Sequence, residues 1–230
     1  MRMTKVLLFD LDDTLFNEIE FHKSAIKNTS KLIAKKLNIE SDTIYKKLEY
    51  YIKSKLTHIY QLLFSELNHQ WTDDFLNEII RSHREHYPKI ALSSNTLKIL
   101  ESLSKKYRLG LITDGYKKTQ ENKIAALKIK PWFEFIWIND ENNMINWKPS
   151  QFSFIQANKY FDVNYFDMVY IGDNIAKDFK APNELGMLSI HVTNIDGIYY
   201  NAKSKGKIFD AKYEISNIGE LENQLKSIWD

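Results

Sequence analysis

Four consecutive apolar residues, Val6–Phe9, run straight into Asp10-Leu11-Asp12-Asp13-Thr14. A short unbroken apolar run reads as a strand buried on both faces of a parallel sheet, since only a strand with one wet face must alternate. From about residue 15 to 87 the apolar spacing becomes helical. Ile19, Ile26, Ile33 and Leu37 mark one face, Leu48, Ile52 and Leu56 a second, and Ile59, Leu63 and Leu67 a third. Phe75, Leu76, Ile79, Ile80, His83 and Tyr87 mark a fourth. The first proline is Pro88 and all seven glycines lie at or after Gly110, so no breaker interrupts this stretch. Thr72-Asp73-Asp74 offers a start for the fourth helix. The pattern predicts a four-helix module.

From residue 97 onward helices and strands alternate. Helices are expected at 96–106, 117–127, 150–161 and 178–185, each leading into a strand at 109–113, 135–138, 168–171 and 188–192. Ser216 suits the N-cap of a closing helix whose apolar face is Ile218, Leu221, Leu225 and Ile228. Strand–helix alternation at this spacing predicts an α/β fold with a right-handed, doubly wound parallel sheet. The first strand belongs to that sheet, so the helical module is an insertion. The expected division is a core of 1–14 and 93–230 with the insertion at 15–92, the boundary falling near Pro88 to Ser94.

Composition narrows the possibilities only modestly. Across 230 residues, 32 basic and 30 acidic side chains nearly cancel, giving no bulk attraction to nucleic acid or to a membrane surface. The absence of cysteine excludes disulfides, thiol catalysis and thiolate metal sites. Val6–Phe9 is too short for a signal peptide and no membrane span is visible, so a soluble, cytoplasmic protein is expected.

The chemistry gathers at the expected strand ends, where open α/β sheets place their ligands. Asp10 and Asp12 stand two residues apart, so an extended backbone aims both at one face. Three carboxylates in four residues repel one another unless a cation or a shared proton compensates. An acidic turn that caps a helix would explain one of them. An EF-hand calcium loop fails on spacing, because its sixth and twelfth positions would be Leu15 and Phe21. At the next strand end, Thr113-Asp114-Gly115 offers a hydroxyl and two backbone amides, a small phosphate cradle or a plain turn. Pro149 holds Lys148 extended, although a lone lysine is ordinarily a solvated residue. Gly172-Asp173-Asn174 then brings a second acid pair, Asp173 with Asp178, and Asp178 also suits a helix cap.

Asp-x-Asp-x-Thr, Thr-Asp-Gly, Lys-Pro and Gly-Asp-x4-Asp thus follow one another at successive strand ends. In that order they resemble the four motifs of the haloacid-dehalogenase-like (HAD) hydrolase superfamily, in the form with a helical cap inserted after the first motif. The resemblance runs from Val6 to about His191. It implies that Asp10 is a nucleophile forming an aspartyl-phosphate and that Asp12 is the general acid and base. It implies Mg2+ held by Asp10, the backbone carbonyl of Asp12, Asp173 and Asp178. Thr113, Asp114 and Gly115 would bind the transferring phosphoryl oxygens, and Lys148 would neutralise charge there. Asp12 points away from true haloacid dehalogenases, which need no acid for a halide leaving group. The implied activity is hydrolysis of a small phosphorylated metabolite, with a phosphomutase or a phosphate-ligand sensor as alternatives.

Pro182, early in the helix after Asp178, and Trp147, directly before Lys148, depart from the usual pattern. Trp147 suits either core packing or stacking on a leaving group. The resemblance gives leaving-group recognition to the cap and to the turn after the first strand: Phe16, Asn17, Glu18 and Phe21, with His22, Tyr116 and Lys117. Packing at the hinge is the other reading of Phe16 and Phe21. His58, His69, His83 and His86 follow helical spacing and are expected not to bind metal.

Overall fold

The computed structural model describes residues 5–229. Residues 1–4 and 230, which the expected core segments include, lie outside the described residues. The strands are β1 (Val6–Phe9), β2 (Arg108–Asp114), β3 (Phe135–Asn139), β4 (Met168–Gly172), β5 (Leu188–Val192) and β6 (Tyr213–Ile215). They form one parallel sheet in the order β3-β2-β1-β4-β5-β6. β1 is central, with Phe9 opposite Leu111 on one side and Ile171 on the other. All four of its side chains are fully buried, Leu7 and Phe9 in one apolar layer and Val6 and Leu8 in the other. That is the period-two division of a strand covered on both faces. Each such side chain contributes about 1.5–3 kcal/mol of transfer free energy.

The helices are α1 (Glu18–Leu37), α2 (Ser41–Lys53), α3 (Ile59–Glu66), α4 (Asp73–Glu85), α5 (Ser94–Lys106), α6 (Lys117–Leu127), α7 (Phe152–Phe161), α8 (Lys180–Glu184) and α9 (Leu221–Trp229). The first four enclose an apolar cluster of their own that includes Ile26, Ile33, Leu48, Leu63 and Ile79. Thr72 caps α4 by accepting from Phe75 N at 3.2 Å, as the sequence suggests. Leu56 and Tyr87 do not face inward as their spacing predicts; they are exposed because α2 and α4 end before reaching them.

The helical module is held to the core by polar contacts from α6. Thr119 Oγ1 donates to the Arg84 carbonyl at 2.8 Å, and Asn122 Nδ2 to the carbonyls of Glu85 and His86 at 2.8 and 3.2 Å. These carbonyls close α4, where a helix has no N–H donors of its own to offer the carbonyls of its last turn. The chain leaves β1 through α1–α5 and returns to β2, whereas the connection from β3 crosses over to β4. The strand order therefore reverses at β1, the position where open α/β sheets open a crevice at their carboxyl ends.

Four local expectations need correction. β6 was not expected, since three residues are too few to show a period. Asn217, not Ser216, caps the closing segment, its side chain accepting from Gly219 N at 2.9 Å. Ser216 N instead donates to Glu220, as the outer half of a capping box would. α7 begins at Phe152 because Ser150 Oγ takes up the Phe152 amide first. α8 is shorter than expected: the preceding turn is closed by the amides of Lys177 and Asp178 on the Asn174 carbonyl, and Pro182 adds no donor.

Candidate active site

The carboxyl ends of β1, β2 and β4 bring the first, second and fourth motifs together, and the loop before α7 adds Lys148. Directly after β1, Asp10 N donates to the Ile171 carbonyl at 2.8 Å, which ties the turn to β4. Asp13 adopts the left-handed conformation, φ 52°, that Asp tolerates better than most residues. Its carboxylate accepts from Glu18 N at 2.8 Å and from Ile198 N at 2.7 Å. Asp13 is thus the acid that caps a helix, and burial pushes it up to about 6 against those two amide bonds.

Lys148 Nζ is completely buried and lies 2.7 Å from Asp10 Oδ1, 2.8 Å from Tyr170 Oη and 2.9 Å from Asp178 Oδ1. The contact with Asp178 is an ion pair outside hydrogen-bonding geometry, which leaves Asp178 Oδ1 buried with no hydrogen bond. Asp178 Oδ2 accepts from Asn174 N at 2.8 Å, so this side chain also closes the turn after β4. Gly172 is required beside it: a Cβ there would stand 2.6 Å from Asp178 Oδ2. Burial pushes Asp10 up to about 7, with Lys148 opposing and Asp178 reinforcing. Burial, then the charges of Asp178 and Asp10, push Asp173 well above the usual carboxylate range.

Asp10, Asp173 and Asp178 each offer an oxygen, all within 4.8 Å of one another. Three buried carboxylates against one lysine leave uncompensated negative charge, and one of their oxygens lacks a hydrogen bond. The donor set is oxygen alone. A hard divalent cation such as Mg2+ fits both the charge and the ligand type.

The carboxylate of Asp12 does not join this cluster. It turns toward α6, accepting from Lys123 Nζ at 2.7 Å and from Gln120 Nε2 at 2.9 Å. Lys123 also reaches Glu18 Oε1 at 3.2 Å and sits 4.5 Å above the Phe21 ring. Burial pushes Asp12 above its ordinary value against the pull of Lys123. Burial alone would raise Glu18 too, but Lys123 and His22 hold it below its ordinary value. Gln120 also donates to Thr113 Oγ1 at 2.5 Å, joining the first and second motifs.

Around the second motif, Gly115 has φ +152°, a conformation that favours glycine, and its N–H donates to the Asn139 carbonyl at 3.1 Å. Asp114 accepts from Asn139 at 2.8 Å, Lys148 N at 3.3 Å and Lys177 Nζ at 3.1 Å. Burial opposes it, yet Lys148 and Lys177 hold Asp114 below its ordinary value. Asp114 therefore braces the site with its side chain. Asn17 is tied to Asn194, 2.8 Å apart, at the lip of the crevice. Phe16 and Phe21 are buried in the apolar core, the packing alternative of the two considered for them. Trp147 is half-buried and donates to the Asp140 carbonyl at 2.8 Å.

Gln120 and Lys123 escaped the sequence reading, because on an isolated helix they look like surface residues. They are 1% and 2% exposed. Their one sequence signal is that α6 is too polar on the face it must bury against a second module.

The model of the haloacid dehalogenase-like hydrolases matches residues 7–192. The chain belongs to that family. Among haloacid dehalogenase-like relatives, a glyceraldehyde 3-phosphate phosphatase of Methanocaldococcus jannaschii is 29% identical over 238 residues, covering 98% of this chain and 99% of its own. An N-acylneuraminate-9-phosphatase of Homo sapiens is 23% identical, covering 97% and 94%. The magnesium-bound Bacillus subtilis protein YfnB superposes with a TM-score of 0.66 at 20% identity, over 98% of this chain and 99% of that one. Among the described residues no helix is long and apolar enough to cross a membrane.

Proposed function

We propose that this haloacid dehalogenase-like hydrolase is a Mg2+-dependent phosphatase that releases phosphate from a small phosphorylated metabolite through an aspartyl-phosphate on Asp10. The observation that carries the reading is the division of labour between two carboxylates. Asp10 is aimed at Lys148 and the acid cluster, whereas Asp12, two residues on, is held apart by Lys123 and Gln120. The named relatives are phosphatases of phosphorylated sugars, which supports the same substrate class. Residues 15–92 act in this proposal as the cap.

Asp10, the Asp12 backbone carbonyl, Asp173 and Asp178 would hold the Mg2+. When bound, the ion supplies positive charge that lets a carboxylate approach a phosphate and that offsets charge on the transferring oxygens. An Asp10 oxygen attacks phosphorus as the bond to the leaving oxygen breaks, and Asp12 donates its proton to that oxygen. Burial raises Asp12 and so eases its taking up a proton, against the pull of Lys123. Asp12, now a carboxylate, takes a proton from the water that attacks the phosphoryl group, and the bond to Asp10 breaks. Lys148 neutralises charge on Asp10 and on the phosphoryl oxygens, while Thr113 and the Asp114 amide bind those oxygens; the Gly115 amide is taken by the Asn139 carbonyl. Each such contact is worth about 2.7–4 kcal/mol in comparable sites.

The test is Mg2+-dependent phosphate release from p-nitrophenyl phosphate by the wild type and by Asp10→Asn. Release that chelator and the substitution both abolish supports the proposal; release that survives Asp10→Asn overturns it.

A further inference from the structure

A cavity of about 810 Å3 lies not at the acid cluster but beside it, between α1, the α2–α3 connection, α4 and the loop after β5. Asn17, Gly197 and Ile198 connect it to the site, and Ile198 N donates to Asp13 Oδ2 at 2.7 Å. Cavities of roughly 300–1,000 Å3 take drug-sized ligands. A triose would leave most of this one filled with water.

Its charge is uneven. Lys23, Lys53, Lys55 and Arg84 line it, against Glu20 and Asp196. Lys23 is paired with Glu20 at 2.7 Å and Lys53 with Glu49 at 3.3 Å. The Lys55 ammonium bonds the Ile198 carbonyl at 3.1 Å. Arg84 differs from these. It is half-buried, no carboxylate among the described residues pairs with it, and its guanidinium stacks at 3.7 Å on the Tyr116 ring. Tyr116 directly follows the Thr113-Asp114-Gly115 cradle, so a planar fork of donors lines the cavity while stacked on the residue next to that cradle. Such a fork matches a carboxylate in geometry and charge. His83 adds no charge here: burial pushes it down to about 3, and both its ring nitrogens are engaged, with His22 and with Tyr60. Gln61 and His58 line the cavity with no side-chain hydrogen bond among the described residues, which leaves them for hydroxyl groups.

We infer that the leaving group is a polyhydroxylated carboxylic acid larger than a triose, its carboxylate bound by Arg84. The inference rests on the phosphatase reading. Two matched pairs test it with Mg2+ present: 6-phosphogluconate against sorbitol 6-phosphate, and 3-phosphoglycerate against glycerol 1-phosphate, with p-nitrophenyl phosphate as the reference. In each pair only the carboxylate differs. The acid of the larger pair is expected to exceed its polyol in kcat/KM by about tenfold or more, as one charge-assisted contact supplies. It is also expected to exceed the triose-sized acid. Arg84→Met should bring the ratio within the larger pair close to one, chiefly through KM, and Arg84→Lys should keep part of it. Equal kcat/KM within the pairs, a ratio that Arg84→Met leaves unmoved, or no turnover of the four, while p-nitrophenyl phosphate is hydrolysed, overturns the inference alone. Silence from every ester, p-nitrophenyl phosphate included, takes down the phosphatase reading as well.

Discussion

Replacing Lys123 with Met removes one charge from the centre of the polar contacts between α6 and the helical module and keeps most of the side-chain volume. The side chain is 3% exposed, and its ammonium serves two carboxylates, Asp12 at 2.7 Å and Glu18 at 3.2 Å. Removing one member of a buried ion pair costs about 3–5 kcal/mol, because the partner is left uncompensated. The lost cation over Phe21 adds about 0.5–2 kcal/mol. A deficit of about 5 kcal/mol at pH 8 follows, or roughly 10–20 °C in Tm for a chain of this length. The pH dependence has a definite sign. Glu18 is held below its ordinary value, so its stabilising share is present above the unfolded value and is lost as pH falls through the folded one. In Lys123→Met both carboxyls protonate more readily, so the gap to wild type should narrow to about 1 kcal/mol near pH 4, the level of an ordinary substitution. Urea unfolding of both proteins at pH 8, 6 and 4 measures it. An equal deficit at pH 4 and pH 8, or one below about 1 kcal/mol at pH 8, would refute the reasoning.

Three further outcomes are expected. Gly172→Ala forces a methyl group into the 2.6 Å approach of Asp178 Oδ2, so it should cost about 1–3 kcal/mol and weaken Mg2+ binding, read by urea unfolding and calorimetric titration. Asp13→Ala strands the Glu18 and Ile198 amides and should cost about 1–3 kcal/mol in thermal unfolding; a neutral result would show that water replaces the carboxylate. His83, pushed down to about 3 by burial, binds its proton in the unfolded chain below about pH 6.5. It therefore removes about 1.4 kcal/mol of stability per pH unit between roughly pH 6 and 4, and His83→Gln should unfold with a correspondingly flatter acid limb.

The parts of this molecule that could be read from the chain are those with strong local constraints. β1 and β4 are legible because strands covered on both faces must be apolar throughout, and the acids that follow them have no place in such a layer. The motif order puts Asp10 and Asp173 at strand ends and Lys148 ahead of a helix, and the structure brings their side chains together. What could not be read depends on what a side chain meets across the fold. Lys123 and Gln120 have the composition of a solvated helix face, and only the docking of α6 on the first two motifs and on α1 makes them interior. Leu56 and Tyr87 keep the helical period beyond the point where their helices stop. Asn217 displaces Ser216 as a cap because two adjacent residues of nearly equal capping tendency compete, and tertiary contacts decide between them. Arg84 carried no sequence signal at all: its lack of a carboxylate partner is a property of the assembled cavity.

The central claim is that Asp10 carries the phosphoryl group and Asp12 then activates water. Asp12→Asn separates the two steps when the substrate is p-nitrophenyl phosphate, whose leaving group needs little protonation. That variant, loaded with Mg2+, mixed with the ester and quenched in acid, should accumulate a phosphoryl group on the peptide carrying Asp10, seen by mass spectrometry, with free phosphate appearing slowly. Release of phosphate at the wild-type rate with no phosphoryl group on Asp10 would contradict the account.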